Sequence, residues 1–454
     1  MLPPRHRSRL SIVLAMLLTS FTIAASDFLA PHYVIDLDHP PAERWAPLLQ
    51  EILEIRGWNA TLKPIVQYML KYVPMEDWKD KDMALQAFGL GLFGWEYFEE
   101  IRGVHVVITR RGYGDHITKG MLVFFQLFYE LAMECTGILA QPSSNRTGRT
   151  GPVVHARNMD IGLPVGNITV QMTWMKGGKE LLETTQYVGY LGVHTGMRKG
   201  AWSVQANQRI ILEPGPWGWQ KTVVSQDVLA LLELRKPVGY LLRETLLAAT
   251  TFEDAVTALS QAKSVSPLYL VLAGAGLNEG AVLTRNRDGL ARNNQSVRFL
   301  SDQVPALVQT NWDSWIPIDK AQCLGAVATW PTVAKAACAR TVKLIYGDPS
   351  GCEALCGLTS DGRAEAARAA LGKLGTDKFD AGHLFEVLSQ PPVLASTTQF
   401  TSLMEPRTNY YQTVVRTHFK FPTSQNTTAR LHMGAFMRLF AALVEHSFLT
   451  AVVV

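Results

Sequence analysis

Cys135 opens the run Cys-Thr-Gly-Ile-Leu-Ala and is answered downstream by His-Ala-Arg-Asn-Met-Asp over 155–160. A thiol attacks only as its thiolate, and a neighbouring cation lowers the thiol pKa, so an arginine held beside Cys135 has a chemical reason to be there. Arg157 is the candidate cation and Asp160 a carboxylate within the same reach. The alternative is a packed free cysteine beside a structural Arg157–Asp160 pair, because free cysteine is among the most buried residue types.

These residues meet only if the chain turns back on itself. Thr136–Ala140 and Val153–Ala156 are short apolar runs flanking a polar stretch, 141–151, rich in serine, threonine and glycine. That pattern predicts a strand, a loop and a returning strand, which would carry Arg157 and Asp160 back to Cys135. Upstream, 44–72 and 81–102 have helical spacing with apolar faces, and Asp115–Ala132 leads as a strongly apolar stretch into Cys135. Downstream the period changes to two in Ile168–Trp174, Leu268–Ala275, Gly280–Arg285 and Pro305–Asn311, with helices predicted over Ser225–Leu234, Val238–Ala249 and Thr251–Ala262. The last opens on Thr251-Phe-Glu-Asp254, close to a capping box. The fold class is therefore α+β. Gly347–Asp380, rich in glycine, alanine and charge, reads as surface, and Met433–Val454 as a terminal helix or loose tail, with a lipid-anchor signal as the alternative.

The chain has 454 residues and 47% hydrophobic content, enough for one large core or two smaller ones. Arg5, Arg7 and Arg9 precede an apolar run from Leu10 to Ala25 that ends in small residues, so 1–26 reads as a cleavable secretory signal; as a membrane anchor the run is short. Removing those three arginines takes the formal charge from +4 to about +1, and nothing argues for nucleic-acid binding. Asn59, Asn145, Asn167, Asn294 and Asn426 stand in glycosylation sequons, Asn145 in a predicted loop, which fits the same route. Cys323, Cys338, Cys352 and Cys356 read as two disulfides whose connectivity stays open, with Cys323–Cys338 and Cys352–Cys356 preferred on proximity. A zinc site is the rival, but the spacings match no familiar pattern and no histidines accompany them. No cofactor or metal is expected.

Several blocks in fixed order carry a resemblance: Tyr33–Asp38 with Pro40, Pro41, Arg44 and Trp45; Phe128–Leu131; Cys135-Thr136; Arg157–Asp160; Tyr187–Gly192 with Thr195-Gly196; Thr284–Gly289; and Val308–Asp313. Together they resemble the acid ceramidase and N-acylethanolamine acid amidase family of N-terminal-nucleophile hydrolases, over most of 31–345 and more loosely 381–415. The resemblance implies an αββα sandwich preceded by a mainly helical segment. It also implies self-cleavage between Glu134 and Cys135, giving a light chain (α subunit) over 27–134 and a catalytic heavy chain (β subunit) over 135–454, with 347–380 as an insertion. The thiol and its base then sit on one residue, since a free α-amine has a reference pKa of roughly 8. By carry-over, Asp160 orients that amine, Arg157 lies by the thiolate or the substrate head, and Asn311 serves the oxyanion hole. Asn158, Tyr190, Gln208 and Arg340 fall in supporting or substrate-binding places. Asn207-Gln208-Arg209 departs from the family's Asn-Glu-Arg, and Ala337-Cys-Ala-Arg-Thr341 is the nearest match to its Asp-Asp-Arg-Arg-Thr, with Ala339 in place of an arginine. No histidine stands in a triad-like block, and His155 reads as a packed strand residue.

The implied partner is a lipid amide substrate, in a lysosomal or extracellular setting. Tyr33–Asp38, Phe128–Leu131 and Asn158–Asp160 lean towards ceramide, Thr284–Gly289 towards acylethanolamines. Ala87–Trp95 could dock on a lipid surface; its alternative is a buried helix face. From another class, the chain could be a lipid-binding relative that has lost catalysis, and a further alternative is an acylase for bile-salt-like or penicillin-like amides.

Overall fold

The computed structural model describes residues 27–71, 73–130, 134–144, 148–149, 151–209, 227–292, 295–313 and 362–417. The expected hairpin is β3 (Glu134–Ala140) and β6 (Val154–Asp160), paired antiparallel with Cys135 opposite Met159 and Gly137 opposite Arg157. It lies at the centre of an antiparallel sheet ordered β1 (Phe28–Leu29), β17 (Tyr410–Val415), β16 (Thr398–Glu405), β6, β3 and β15 (Ala306–Gln309). The small hairpin β4 (Ser143–Ser144) and β5 (Gly148–Arg149) caps the connecting loop. A second sheet runs β13 (Gly289–Leu290), β12 (Gly280–Asn286), β11 (Leu268–Gly274), β10 (Trp202–Gln208), β9 (Thr195–Arg198), β8 (Lys179–Tyr187), β7 (Thr169–Lys176) and β2 (His32–Asp36), with β14 (Val297–Phe299) also on β12. Here β2 alone pairs in parallel.

Strand alternation divides the first sheet into two faces. Ile138, Ala140, Val154 and Ala156 pack outward under α9 (Arg363–Leu374) and α10 (Ala381–Leu388). Leu139 and Val153 point inward against Tyr269 and Val271 of β11. The outer face of the second sheet is covered by helices in turn: Trp202 Nε1 donates to Ala249 O at 3.0 Å, at the end of α7 (Val238–Ala248), and Trp174 meets Trp45 edge-on at 5.9 Å. Trp45 introduces the helical segment α1 (Ala46–Ala60), α2 (Leu62–Leu70), α3 (Met75–Asp80), α4 (Asp82–Phe93), α5 (Trp95–Arg110) and α6 (Lys119–Phe125). The result is a four-layer αββα sandwich preceded by helices, as the resemblance implied. No helix among the described residues is long and apolar enough to cross a membrane.

The expected strands at 168–174, 268–275, 280–285 and 305–311 occur as β7, β11, β12 and β15. Thr251 caps α8 (Phe252–Gln261) by accepting from Asp254 N at 3.1 Å. Three expectations need correction. The helical stretch 44–72 breaks where Gly57 takes φ +73°. Of 347–380, the described part is surface on one face only: Glu365, Arg368 and Lys373 are exposed, whereas Ala364, Ala367 and Leu371 are buried, because alanines on one face let α9 approach the sheet closely. Ala87–Trp95 is no continuous exposed patch, since Phe93 stacks on Tyr240 at 4.4 Å, while Leu90 and Trp95 are 43% and 66% exposed.

Asn59 and Asn167 are exposed. The signal over 1–26, Asn145, Asn294, Asn426, Arg340, the four downstream cysteines and 433–454 lie outside the described residues, among which there is no disulfide.

Candidate active site

Because Cys135, Arg157 and Met159 share the inner face of the hairpin, the thiol and the guanidinium are cross-strand neighbours. Arg157 Nη2 donates to Cys135 Sγ at 2.8 Å, and Met159 Sδ lies 3.7 Å from the same sulfur. Arg157 is itself fixed by the second sheet: Nη1 donates to His194 O at 2.9 Å and Thr195 Oγ1 at 2.5 Å. Gly137 sits opposite Arg157, where a Cβ would lie 2.6 Å from Gln205 Nε2, so only glycine leaves that side chain its place. Burial pushes the Cys135 thiol above its ordinary value, and Arg157 pulls it back. The arginine thus offsets a desolvation cost that would otherwise keep the sulfur inert.

Asp160 and Asn158 point from the other face. Asp160 Oδ2 accepts from Arg363 Nη1 at 2.6 Å and Oδ1 from Thr398 Oγ1 at 2.5 Å. Burial raises the Asp160 carboxyl, while Arg363 counteracts it. Arg363 Nη2 also donates to Asn311 Oδ1 at 3.0 Å, and that oxygen accepts Cys135 N–H at 2.8 Å. A buried chain therefore runs from the nitrogen of Cys135 through Asn311 and Arg363 to Asp160. Asn311 Nδ2 donates to Gln208 O at 2.8 Å, and the following turn is clamped by the Arg209–Asp313 pair at 2.6 Å.

Asn158 is not part of this cluster: its amide bonds Leu388 O and Val393 O at 2.9 and 3.0 Å, and it ties α10 to the sheet. Tyr190 borders an apolar cavity with Phe125, Phe128, Ile161, Leu163 and Val165, and its hydroxyl meets His194 Nε2 at 2.8 Å. Gly239 makes room for that hydroxyl, which a Cβ there would approach to 2.1 Å. His155 bridges Ser203 at 2.9 Å and Gln205 at 3.1 Å, and burial lowers it to about 3, so it is a neutral packed residue. Arg363 is the member of the cluster that sequence reasoning missed, and Arg340, expected as a support, lies outside the described residues.

Gln208 sends Nε2 towards Glu130 O at 3.5 Å, just upstream of the Glu134–Cys135 bond. Gln208→Glu is expected to slow cleavage before Cys135, because a carboxylate there would face the Glu130 carbonyl oxygen instead of donating to it. Timed mass spectra of both proteins check this; a several-fold faster variant would mean that the natural amide impairs the site.

Residues 29–76 match the family model described as the beta subunit of N-acylethanolamine-hydrolyzing acid amidase. Acid ceramidase of Heterocephalus glaber is 26% identical over 413 residues, covering 85% of this chain and 86% of that protein. N-acylethanolamine-hydrolyzing acid amidase of Caenorhabditis elegans is 27% identical over 421 residues, covering 87% of this chain and 95% of that protein. The chain is linked at family level to the acid amidase and ceramidase branch of N-terminal-nucleophile hydrolases. It is a carbon–nitrogen hydrolase acting on amides. Among solved structures, the Caenorhabditis elegans ortholog of N-acylethanolamine-hydrolyzing acid amidase is similar at 28% identity and a TM-score of 0.44, over 60% of this chain and 93% of that one.

Proposed function

We propose that the chain cuts itself before Cys135 and then hydrolyses a lipid amide, an N-acylethanolamine being the favoured substrate class. The observation that carries this is the Arg157 guanidinium 2.8 Å from a thiol whose own backbone nitrogen is held by Asn311. In the first reaction Cys135 Sγ adds to the Glu134 carbonyl carbon, the C–N bond breaks, and the departing amine takes the thiol proton. Water then hydrolyses the thioester, leaving a Glu134 carboxylate and a free Cys135. Chain 27–134 and chain 135–454 are the products.

In turnover the new α-amine, with a reference pKa near roughly 8, takes the thiol proton and later delivers it to the substrate's leaving nitrogen. Asn311 Oδ1 already accepts from that nitrogen, and Arg363 and Asp160 hold Asn311 in place, so the amine inherits its orientation. Arg157 steadies the thiolate. The cavity beside Phe125, Phe128 and Leu163 is apolar but small in this structure, and it would have to open to admit an acyl chain. No cysteine precedes Cys135, so the two chains would stay together without a disulfide. Glu100 of α5 supports this, bound bidentately by Arg243 of α7 at 2.6 and 2.7 Å with Trp45 Nε1 at 2.8 Å.

The sequence blocks lean to ceramide, whereas the family model and the extent of the worm amidase alignment favour acylethanolamines. Ceramide is the second reading, supported by the alignment with acid ceramidase. A secretory or lysosomal setting fits both. The deciding experiment offers the processed protein N-acylethanolamine and ceramide in vesicles at acidic pH and follows fatty-acid release. Faster release from the ethanolamide is expected, with Trp95→Glu reducing it for vesicle-borne substrate only, as exposed Trp95 and Leu90 reach the lipid surface. Faster ceramide turnover would reverse the order, and no turnover of either would move the protein to the lipid-binding class.

A further inference from the structure

Tyr187 closes β8 at the border of the apolar cavity, and its side chain is 4% exposed. Its hydroxyl has no hydrogen-bond partner among the described residues. A buried hydroxyl left without a partner has given up its hydration for nothing in return, so its retention asks for a reason. The other polar groups on the cavity wall satisfy each other, Tyr190 Oη with His194 Nε2 at 2.8 Å. Tyr187 is also tied to the thiol side: its ring lies 6.2 Å from that of Phe400, over which the Arg157 guanidinium sits at 5.8 Å, and Arg157 is the group that holds Cys135 Sγ.

That position matches one atom of an amide substrate. The carbonyl carbon bonds Cys135 Sγ on one side and begins the acyl chain on the other, so its oxygen falls where cavity and thiol meet. In this structure Asn311 directs Oδ1 at Cys135 N and Nδ2 at Gln208 O, so a further donor to that carbonyl oxygen has a place beside it. Resting on the lipid-amide reading, we propose that the Tyr187 hydroxyl donates to the scissile carbonyl oxygen and to the oxyanion formed there when the thiolate adds. The hydroxyl keeps its proton throughout, and the negative charge on oxygen is discharged when the carbonyl re-forms and the amine leaves.

The test is Tyr187→Phe, which removes the hydroxyl and keeps the ring. Loss of a single oxyanion donor lowers kcat by roughly 10²–10³-fold. The expected result is a fall of that order on processed protein, with KM changed less than about threefold and a thermal midpoint equal to or above the wild type. A residue that only shaped the fold would not lower turnover while sparing stability. Incorporating 3,5-difluorotyrosine at 187 keeps a donor and makes it more acidic, so it should retain turnover where phenylalanine loses it. A kcat for Tyr187→Phe near that of the wild type, or a difluorotyrosine protein as poor as Tyr187→Phe, overturns the proposal. If the wild type hydrolyses neither amide, the function reading fails, and Tyr187 is judged on cleavage before Cys135. That step builds an oxyanion at the same thiol, so Tyr187→Phe must slow it, and an unchanged rate overturns the assignment.

Discussion

Arg363→Met is expected to leave the chain uncut at Cys135 and to lower its unfolding free energy by about 3–5 kcal/mol, the usual cost of stranding one partner of a buried ion pair. Asp160 is fully buried and Arg363 is 4% exposed, and the pair is 2.6 Å apart. Without the guanidinium, Asp160 keeps Thr398 alone as its side-chain donor among the contacts described, and burial then drives the carboxyl towards its protonated form. Asn311 Oδ1 loses its second donor and with it the fixed orientation towards Cys135 N. Asp160→Asn combined with Arg363→Met should cost less than the sum of the two, because the variants remove the same interaction. Urea unfolding and timed mass spectra check both effects. Arg340→Met serves as the control and should still process; if it stops cleavage while Arg363→Met does not, the wrong arginine has been assigned to the site.

The second large effect is on stability against pH. Glu130 accepts from Val238 N at 2.7 Å and Ser266 Oγ at 2.6 Å, and Asp227 pairs with Arg287 at 2.5 Å. Burial pushes the Glu130 and Asp227 carboxyls each up to about 7, and the two repel when both are charged. In the unfolded chain they titrate near roughly 4, so between about pH 4 and 7 the native state binds more protons. Stability contributed by these groups is therefore present at acidic pH and is lost as the pH rises through 7. Glu100, lowered by Arg243 against its burial, works the other way and sets the acid limit. Urea unfolding of uncut Cys135→Ala should show about 2–4 kcal/mol less stability at pH 7.5 than at pH 5. Asp227→Asn should flatten that difference. A wild-type stability that rises over the same interval would contradict the pairing.

Much of this site is legible in the chain because strand pairing is local. Cys135 and Arg157 belong to one hairpin whose register follows from alternation, so their meeting needs no knowledge of the rest of the fold. Asn311 comes from β15's end on the neighbouring strand, and its block with Asp313 marks it in the sequence. Arg363 was hidden because the alanine-rich, charged stretch around it has the composition of a surface helix, and its burial depends on docking against the opposite face of the sheet. Alternation also separates Asn158 from Arg157, since adjacent strand residues face opposite layers. Tyr187 carries no sequence signal beyond its block; what distinguishes it is a hydroxyl at the cavity wall without a partner among the described residues.

Self-cleavage before Cys135 is measured most directly by the intact mass of the purified protein, native and Cys135→Ala, before and after incubation at acidic pH. Two chains are expected from the native protein, the larger beginning at Cys135, and a single chain from Cys135→Ala. A native protein that stays in one piece at every pH, or a Cys135→Ala protein that is cut before residue 135 just as well, would contradict self-cleavage by that thiol.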